Sequence, residues 1–314
     1  MQYNTLGRSE LKVSRLCFGS LTVGPLQANL PLHEGAAIIK AAFAAGVNFI
    51  DTAHLYSNYH YIREAIQDFP DTIVSSKSYD YTYQGMQQTV ETACNALNRD
   101  YIDIFMLHEQ VSRHTLRGHK DALDYLCDAK AKGIVRAVGV STHAIEVVNV
   151  AATMEEIDVI HPILNQKGIG IIDGSVEDML TAIQLAVANG KGIYTMKALG
   201  GGHLISSAPA AIDWILAQDN IHSVAVGMQT LAEVTVNTTR FSGCAPDDTL
   251  VRAISKQKRR LLIEDYCSGC GTCVQKCPMK AMTVIDGQAF PDKNRCVLCG
   301  YCGAYCPEFC IKVI

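Results

Sequence analysis

The chain has 314 residues, of which 48% are hydrophobic, and it carries a formal net charge of −4 at pH 7. This length and apolar content allow one large core together with a small appended unit. The slightly acidic balance offers no basic field for nucleic acid or for an anionic membrane surface, so we expect neither partner. No apolar run approaches the roughly 20 residues of a membrane span, and the start lacks a secretory signal, which predicts a cytoplasmic protein.

The first predicted element is a hairpin in QYNTLGRSELKV, two short strands around a Gly-containing turn that would close the bottom of a larger domain. From Leu16 to about Asn237, short apolar runs alternate eight times with longer amphipathic runs, as is typical of βα units. Eight units in about 240 residues predict an α/β fold, the (β/α)₈ TIM barrel. An open doubly wound sheet is the alternative, and the lack of G-x-G-x-x-G after the first strand disfavours it.

The predicted barrel strands are short apolar runs separated by helix-like stretches. They read RLCFG, VNFID, DTIVSS, DIFML, IVRAVGV, DVIHPILN, GIYTMK and SVAVG. The barrel domain is expected to cover residues 1–245. A charged amphipathic helix should follow as a helical linker over 246–265, leaving 266–314 as a small α+β domain.

Nine of the 13 cysteines lie in that last segment; no chemistry is assigned to Cys310, and the other eight are spaced as metal ligands. They form two copies of C-x₂-C-x₂-C-x₃-C-P, a spacing typical of bacterial ferredoxins with two 4Fe–4S clusters, in which the fourth cysteine of each run reaches the other cluster. One cluster is predicted to take Cys267, Cys270, Cys273 and Cys306, and the other Cys296, Cys299, Cys302 and Cys277. Zinc sites are the alternative, but zinc ribbons rarely show this run closed twice by Cys-Pro.

Four polar residues follow predicted strands at the end where barrel active sites lie. They are Asp51 after strand two, Tyr56 in the same loop, Lys77 after strand three and His108 after strand four. Singly, each has an ordinary structural explanation, such as a turn cap or a core histidine. Together they could form an acid for carbonyl reduction: we expect Lys77 to lower the pKa of Tyr56, Asp51 to hold Lys77, and His108 to orient the substrate oxygen.

The segments GVNFIDTAHLYSN, SSK and ALNRDYIDIFMLH resemble the aldo-keto reductase family over about residues 1–245, in the branch fused to a ferredoxin-like domain. The resemblance implies a nicotinamide cofactor, NAD(H) or NADP(H), across the barrel mouth beside Tyr56. The cofactor positions implied by the resemblance are Ser141, Asn165, Gln166, Met196, Lys197, Gly227, Met228, Glu233 and Asn237.

Two of these positions depart from the family pattern. Met196 stands where the family usually has an aromatic residue under the nicotinamide ring. Glu233 stands where many NADP-using members have an arginine, and a carboxylate there would repel a 2′-phosphate but could bind a ribose hydroxyl. Glu233 therefore favours NADH, whereas the resemblance favours NADPH. The alternative for Glu233 is a solvated residue in the first turn of a helix.

Three functions compete at this point. The first is an iron–sulfur oxidoreductase that reduces a small carbonyl substrate, or oxidises the alcohol, with a nicotinamide cofactor and Tyr56 as general acid. The second is an electron-bridging oxidoreductase whose clusters exchange electrons with a ferredoxin or flavodoxin partner. It needs a flavin or a radical step to divide the electron pair, and no flavin motif is present. The third, a non-catalytic electron-transfer module, is disfavoured by the complete set of four residues.

Overall fold

The computed structural model describes residues 1–257, 259–299 and 301–314. The chain opens with the predicted hairpin: β1 (Tyr3–Thr5) pairs antiparallel with β2 (Lys12–Ser14). Between them Leu6 and Leu11 are buried in one apolar cluster with residues from the inside of the following barrel, such as Phe49. The hairpin therefore covers the end of the barrel at which the strands begin.

Within residues 1–257, eight parallel strands close into a barrel, with each strand beside the next in the chain and the last paired to the first. These strands are β3 (Leu16–Gly19), β4 (Phe49–Asp51), β5 (Ile73–Ser78), β6 (Ile102–Gln110), β7 (Val135–Thr142), β8 (Val159–Pro162), β9 (Gly192–Thr195) and β10 (Ser223–Val226). Each overlaps a segment predicted as a strand, and β5, β6 and β7 extend beyond theirs, so the TIM-barrel prediction is confirmed.

The helices between the strands form the outer layer. They are α1 (Leu32–Ala44), α2 (Tyr59–Ile66), α3 (Tyr83–Leu97), α4 (Arg113–Gly118), α5 (Lys120–Ala131), α6 (Ile145–Thr153), α7 (Val176–Ala188), α8 (Ala208–Leu216) and α9 (Leu231–Phe241). Helix α3 shows why they form: it buries Met86, Val90, Ala93 and Leu97, whose spacing of three or four residues makes one apolar face. The Thr82 hydroxyl caps its first turn by accepting from the Gly85 N–H at 3.0 Å.

The segment after the barrel differs from the predicted helical linker. Helix α10 (Asp248–Ser255) ends ten residues before Asp265. Leu261–Ile263 instead forms strand β11, which pairs antiparallel with the last strand, Ile311–Val313. The expectation of a helix up to residue 265 was wrong because these apolar residues complete a sheet with the end of the chain. Charge pattern alone could not show a strand partner some 50 residues away.

The remaining elements form a small α+β unit. They are α11 (Thr272–Lys276), β12 (Met282–Ile285), β13 (Gln288–Pro291), α12 (Tyr301–Ala304) and β14 (Ile311–Val313). A small apolar cluster that includes Met282, Ala289 and Ile311 lies at its centre. Among the helices in the described ranges, none combines the length and the apolar character needed to cross a membrane.

This C-terminal unit packs on the barrel at the loop that follows β9. His203 in that loop lies 2.8 Å, through Nε2, from the backbone oxygen of Ile311. Phe309 is 5% exposed and packs with the barrel's own apolar core. Gly202 approaches the last strand so closely that a Cβ on it would lie 2.0 Å from the Val313 oxygen. The C-terminal strand therefore adjoins the end of the barrel at which the strands finish.

Candidate active site and cluster sites

The four residues predicted for acid catalysis lie at the mouth of the barrel. Asp51 ends β4, Lys77 and His108 lie in β5 and β6, and Tyr56 is in the short 3₁₀ turn after β4. The Lys77 ammonium donates to both Asp51 oxygens at 2.8 Å and to the backbone oxygen of Thr52 at 2.8 Å. Its Nζ lies 5.1 Å from the centroid of the Tyr56 ring. The structure thus brings the four residues together.

Asp51 is held by two further residues that sequence analysis missed, Tyr194 and His161. The Tyr194 hydroxyl donates to Asp51 Oδ1 at 2.8 Å, and the His161 ring stacks on Tyr194 with centroids 3.8 Å apart. Burial by itself would raise the pKa of the Asp51 carboxyl, but Lys77, His161 and Tyr194 together hold that pKa below its ordinary value. Both missed residues lie in predicted strands, and only closure of the barrel brings them beside Asp51.

Tyr56 does not behave as the sequence suggested. Burial raises its pKa well above 10, and the charges of Asp51 and Glu109 raise it further. Lys77 does not offset this, since its positive charge is paired with the Asp51 carboxylate, and the charge of that carboxylate raises the pKa of Tyr56. The expectation that Lys77 lowers the pKa of Tyr56 is therefore wrong. Among the residues that the structure describes, none forms a hydrogen bond with the Tyr56 hydroxyl, which leaves it free for a ligand.

His108 lies behind Tyr56. Its ring is edge-on to that of Tyr56 at 6.0 Å and stacks on Tyr79 at 4.2 Å. Burial, with help from Lys77, lowers the pKa of His108 to about 3, so the imidazole is neutral at physiological pH. Its Nδ1 is buried and has no partner in the described parts of the chain. His108 is thus a neutral hydrogen-bonding group and not a cation.

A second polar cluster, formed by Glu109, His143 and Lys197, adjoins His108. Lys197 Nζ lies 2.7 Å from His143 Nε2 and 3.7 Å from the Glu109 carboxylate, to which the Tyr79 hydroxyl also donates. Burial and Lys197 hold the pKa of His143 well below its usual range. Glu109 and His143 were not predicted, although each lies at or just after the end of a strand, which is the signal that found His108.

A cavity of about 380 Å³ opens at this mouth. Seven residues of the sequence prediction line it: Asp51, Tyr56, Met196, Lys197, Gly227, Glu233 and Asn237. His161 from β8 also lines it, and so do Lys312, Val313 and Ile314 from the end of the chain. The volume lies within the range of small-molecule sites.

The other predicted cofactor positions lie outside this lining. The Ser141 hydroxyl accepts the backbone N–H of Glu109 at 2.8 Å. The Asn165 side chain closes its own loop by accepting from the Ile169 N–H at 3.0 Å and donating to the Ile169 oxygen at 2.9 Å. Gln166 is half-buried beside it, and Met228 is fully buried. Local backbone partners therefore use the polar groups of Ser141 and Asn165.

Glu233 has a partner that its position in the sequence did not reveal. Its carboxylate accepts from the backbone N–H of Gln229 at 2.6 Å and pairs with Arg259 at 3.0 Å. Arg259 comes from the segment after α10, lines the same cavity, and has a buried Nε without a partner in the described residues. The like-charge repulsion expected between Glu233 and a 2′-phosphate is therefore offset by a guanidinium.

The cluster cysteines surround two cavities in the C-terminal unit. One is lined by Cys267, Cys270, Cys273 and Cys306. The other is lined by Cys277, Cys296, Cys299 and Cys302. Across the described ranges, no three His, Cys, Asp or Glu side chains converge on the position of a single ion. Each cavity thus brings together the four thiols predicted for one cluster, in the crossed pairing of a two-cluster ferredoxin, so the residues present fit iron–sulfur clusters.

A further thiol lies in the first of these cavities. Cys310, to which the sequence assigned no chemistry, lines it and lies 3.4 Å, sulfur to sulfur, from Cys306. Phe309, the residue before it, is edge-on to His143 at 5.6 Å. The Cys306 cavity is thereby linked to the polar cluster at the barrel mouth by one aromatic ring.

Two curated relatives resemble the chain over most or half of its length. It is 21% identical to an L-galactose dehydrogenase from Arabidopsis thaliana over 76% of this chain and 87% of the relative. It is 22% identical to the methylglyoxal reductase DkgA of Yersinia pestis over 55% of this chain and 65% of that protein. These relatives act on small molecules by oxidation or reduction, as their names state.

The solved structures agree with the fold. The chain superposes on the holo form of an aldo-keto reductase from Bacillus halodurans with a TM-score of 0.65 and 20% identity, covering 82% of this chain and 95% of the other. Residues 260–307 match a 4Fe-4S dicluster domain. Residues 15–206 match the Aldo/keto reductase family, which is more than half of the chain. The protein is therefore a member of the aldo/keto reductase family that carries a C-terminal 4Fe–4S dicluster domain.

Proposed function

We propose that the chain is a nicotinamide-dependent carbonyl reductase with Tyr56 as the general acid and two 4Fe–4S clusters in its C-terminal domain. The observation that supports this most strongly is the meeting of Asp51, Tyr56, Lys77 and His108 at one barrel mouth, with Tyr56 facing a cavity of about 380 Å³. The cavity lining fits a nicotinamide, since Met196 and Val226 contribute apolar surface to the same cavity as Tyr56.

A bound nicotinamide would supply a hydride to the carbonyl carbon. Tyr56 then donates its proton to the carbonyl oxygen, and the alcohol is formed. Tyr56 holds its proton at neutral pH and can therefore act as the donor, although its raised pKa makes it a weaker acid than an ordinary tyrosine. Neutral His108 can hydrogen-bond the same oxygen. The Asp51–Lys77 pair fixes the floor of the site, because Lys77 is 1% exposed and its ammonium is fully hydrogen-bonded.

The test is Tyr56→Phe, which removes the proton donor and keeps the ring. We expect carbonyl reduction to fall by about 10²-fold or more, while NADH and NADPH bind within about twofold of the native affinity. The measurements are steady-state reduction of small aldehydes and fluorescence titration of the dinucleotide. Tyr81→Phe is the matched control because Tyr81 is exposed and does not line the cavity. Native turnover by the Tyr56 variant would remove Tyr56 from this role.

One observation supports the electron-bridging alternative. Phe309 lies between the Cys306 cavity and the His143–Lys197 pair, so the cluster site that contains Cys306 adjoins the barrel mouth. In this alternative a ferredoxin or flavodoxin partner exchanges single electrons with the C-terminal domain. It requires a flavin or a radical step in the barrel, and a flavin absorption band in anaerobically purified protein would favour it over the nicotinamide reductase.

A further inference from the structure

The end of the chain forms part of the wall of the barrel cavity. Strand β14 contributes Lys312 and Val313 to the lining, and Ile314 follows them. Lys312 lies against the glycine run after β9, where a Cβ on Gly201 would meet its Cδ at 3.1 Å. The barrel alone therefore does not enclose the site, and the C-terminal domain supplies one side chain that can ionise.

Lys312 is a buried cation that lacks an anionic partner. It is 8% exposed, its ammonium lies 3.6 Å from the centroid of the Phe309 ring, and it donates to the Phe309 backbone oxygen. Among the residues that the structure describes, no carboxylate lies within 4.0 Å of it. Burial lowers the pKa of Lys312 to about 7, and the nearby Lys197 acts in the same direction. An anion in the cavity would stabilise its charged form.

The other charged residues of the lining already have partners. Asp51 is bound by Lys77, Glu233 pairs with Arg259, and Arg240 pairs with Asp213 at 2.6 Å outside the cavity. Lys197 shares Glu109 with His143, but it also lines the cavity. Its Nζ lies 4.8 Å from the centroid of the Phe309 ring, which Lys312 also contacts. The two carboxylates nearest the lysines, Glu109 and Glu264, do not line the cavity.

Lys197 is held in a strained backbone conformation. Its φ of 60° lies in the left-handed region, which a lysine seldom adopts and which costs about 1 kcal/mol or more. This conformation follows directly after Met196 and places the lysine side chain beside Phe309. The ammonium groups of Lys197 and Lys312, one from each domain, thus lie 4.8 Å and 3.6 Å from the centroid of one aromatic ring, and both lysines line the cavity that contains Tyr56.

We propose that the substrate is a carbonyl compound that also carries a carboxylate, and that Lys312 together with Lys197 binds this carboxylate. The proposal rests on the reductase function proposed above and names its substrate class. It also assigns a role to the C-terminal domain: the domain completes the substrate site as well as holding clusters. Charge-assisted hydrogen bonds to a buried ammonium are strong enough to select an acid over the matching neutral compound.

The test uses the full chain, purified anaerobically with its clusters in place. Two pairs of substrates differ by one carboxylate: succinic semialdehyde with butanal, and glyoxylate with acetaldehyde. We expect the native enzyme to prefer the acid of at least one pair by about tenfold or more in kcat/KM. Lys312→Met keeps the packed stem and should reduce that ratio by about tenfold, whereas Lys312→Arg should retain most of it.

The matched control is Lys132→Met. Lys132 is exposed at the start of the loop before β7, at the opposite end of the barrel. Its substitution should leave the ratio of kcat/KM between acid and neutral substrate unchanged. Iron content of every variant shows that the C-terminal domain is intact. A native ratio near one for both pairs, or an unchanged ratio in Lys312→Met, would overturn the proposal.

Calorimetry separates this proposal from the reductase function. Succinate should bind the native chain and bind Lys312→Met about tenfold more weakly. If no aldehyde is reduced but succinate binding depends on Lys312, the reductase function fails and the anion site stands. If Lys312→Met weakens NADH or NADPH instead and leaves succinate unchanged, the lysine serves the dinucleotide pyrophosphate and the substrate assignment is overturned.

Discussion

At the scale of single residues, the proton on Tyr56 shows that burial outweighs a nearby cation. Lys77 lies 5.1 Å from the Tyr56 ring centroid, yet its charge is used by Asp51, and the desolvated phenol keeps its proton. A tyrosine of this kind holds the proton that reduction consumes, but the raised pKa weakens it as an acid. In the reverse direction it is a poor general base at neutral pH, because the basic phenolate form is scarce.

This difference predicts the pH dependence of the two directions. Since the pKa of Tyr56 lies well above 10, the reduction rate should not fall through loss of its proton from about pH 6 to about pH 9. Alcohol oxidation should rise about tenfold per pH unit over the same range, because it requires the phenolate. The measurement is kcat/KM against pH in both directions. An inflection near neutrality in reduction that Lys77→Met abolishes would show that the lysine does lower the pKa of Tyr56.

Arg259 gives a second prediction at this scale. Arg259→Met removes the guanidinium that pairs with Glu233 at 3.0 Å, so the carboxylate would face the cavity unpaired. NADPH affinity should then fall about tenfold relative to NADH affinity, because only NADPH carries a 2′-phosphate for the carboxylate to repel. Paired titrations measure this, with the exposed Arg252→Met as control. Equal losses for both dinucleotides would place Glu233 away from the 2′-phosphate.

At the scale of elements, the loop after β9 decides how the C-terminal strand meets the barrel. Gly200, Gly201 and Gly202 all have positive φ, and the last of them lies against the Val313 backbone. His203 next to them contacts the Ile311 oxygen. This glycine run is thus a docking surface for the strand β14.

Gly202→Ala tests this docking surface. The new Cβ would lie 2.0 Å from the Val313 oxygen, so the strand must shift. Gly243→Ala is the matched control, since Gly243 also has a positive φ of 79° but nothing within 4 Å of its Cβ position. Both substitutions should lower the free energy of unfolding by about 1 kcal/mol, because alanine is strained at a positive φ. Only Gly202→Ala should speed hydrogen exchange in residues 311–314, and equal exchange in the two variants would show that the close contact is relieved without moving the strand.

At the scale of the whole molecule, residues of two domains line one cavity. The cluster domain depends on its cysteines for stability because its apolar core is small. Its apolar cluster contains few large side chains besides Met282 and Ile311, and several of its members are cysteines. A unit of this size rarely folds on an apolar core alone. Loss of a cluster should therefore disturb the domain, and through Lys312 the substrate cavity as well.

Metal analysis tests the cluster assignment. Protein made anaerobically should contain about eight irons per chain, since two cubane clusters hold four each. Cys270→Ala should lose about half of this iron, because Cys270 lines the cavity shared with Cys267, Cys273 and Cys306. Cys244→Ala, at an exposed cysteine outside both cavities, should lose none. Stoichiometric zinc without iron would contradict both the assignment and the electron-bridging alternative.

The sequence by itself determined the barrel, its opening hairpin and the positions of Asp51, Tyr56, Lys77 and His108. These follow from local signals: strands are short apolar runs, and the carboxyl ends of parallel strands meet at one face. The cysteine motif likewise determined the grouping of eight thiols, because covalent spacing limits which of them can share a cluster.

Only the tertiary structure decided the protonation of the active-site side chains and which residues from the end of the chain line the cavity. The pKa of Tyr56 depends on burial and on the charges of Asp51 and Glu109, and neither is encoded in spacing. Arg259, which pairs with Glu233, comes from the segment that the sequence assigned to a linker. Lys312, which lines the cavity, comes from the segment assigned to the cluster domain. Contacts between residues far apart in the chain leave no periodic signal, so they emerge only when the last strand packs on the barrel.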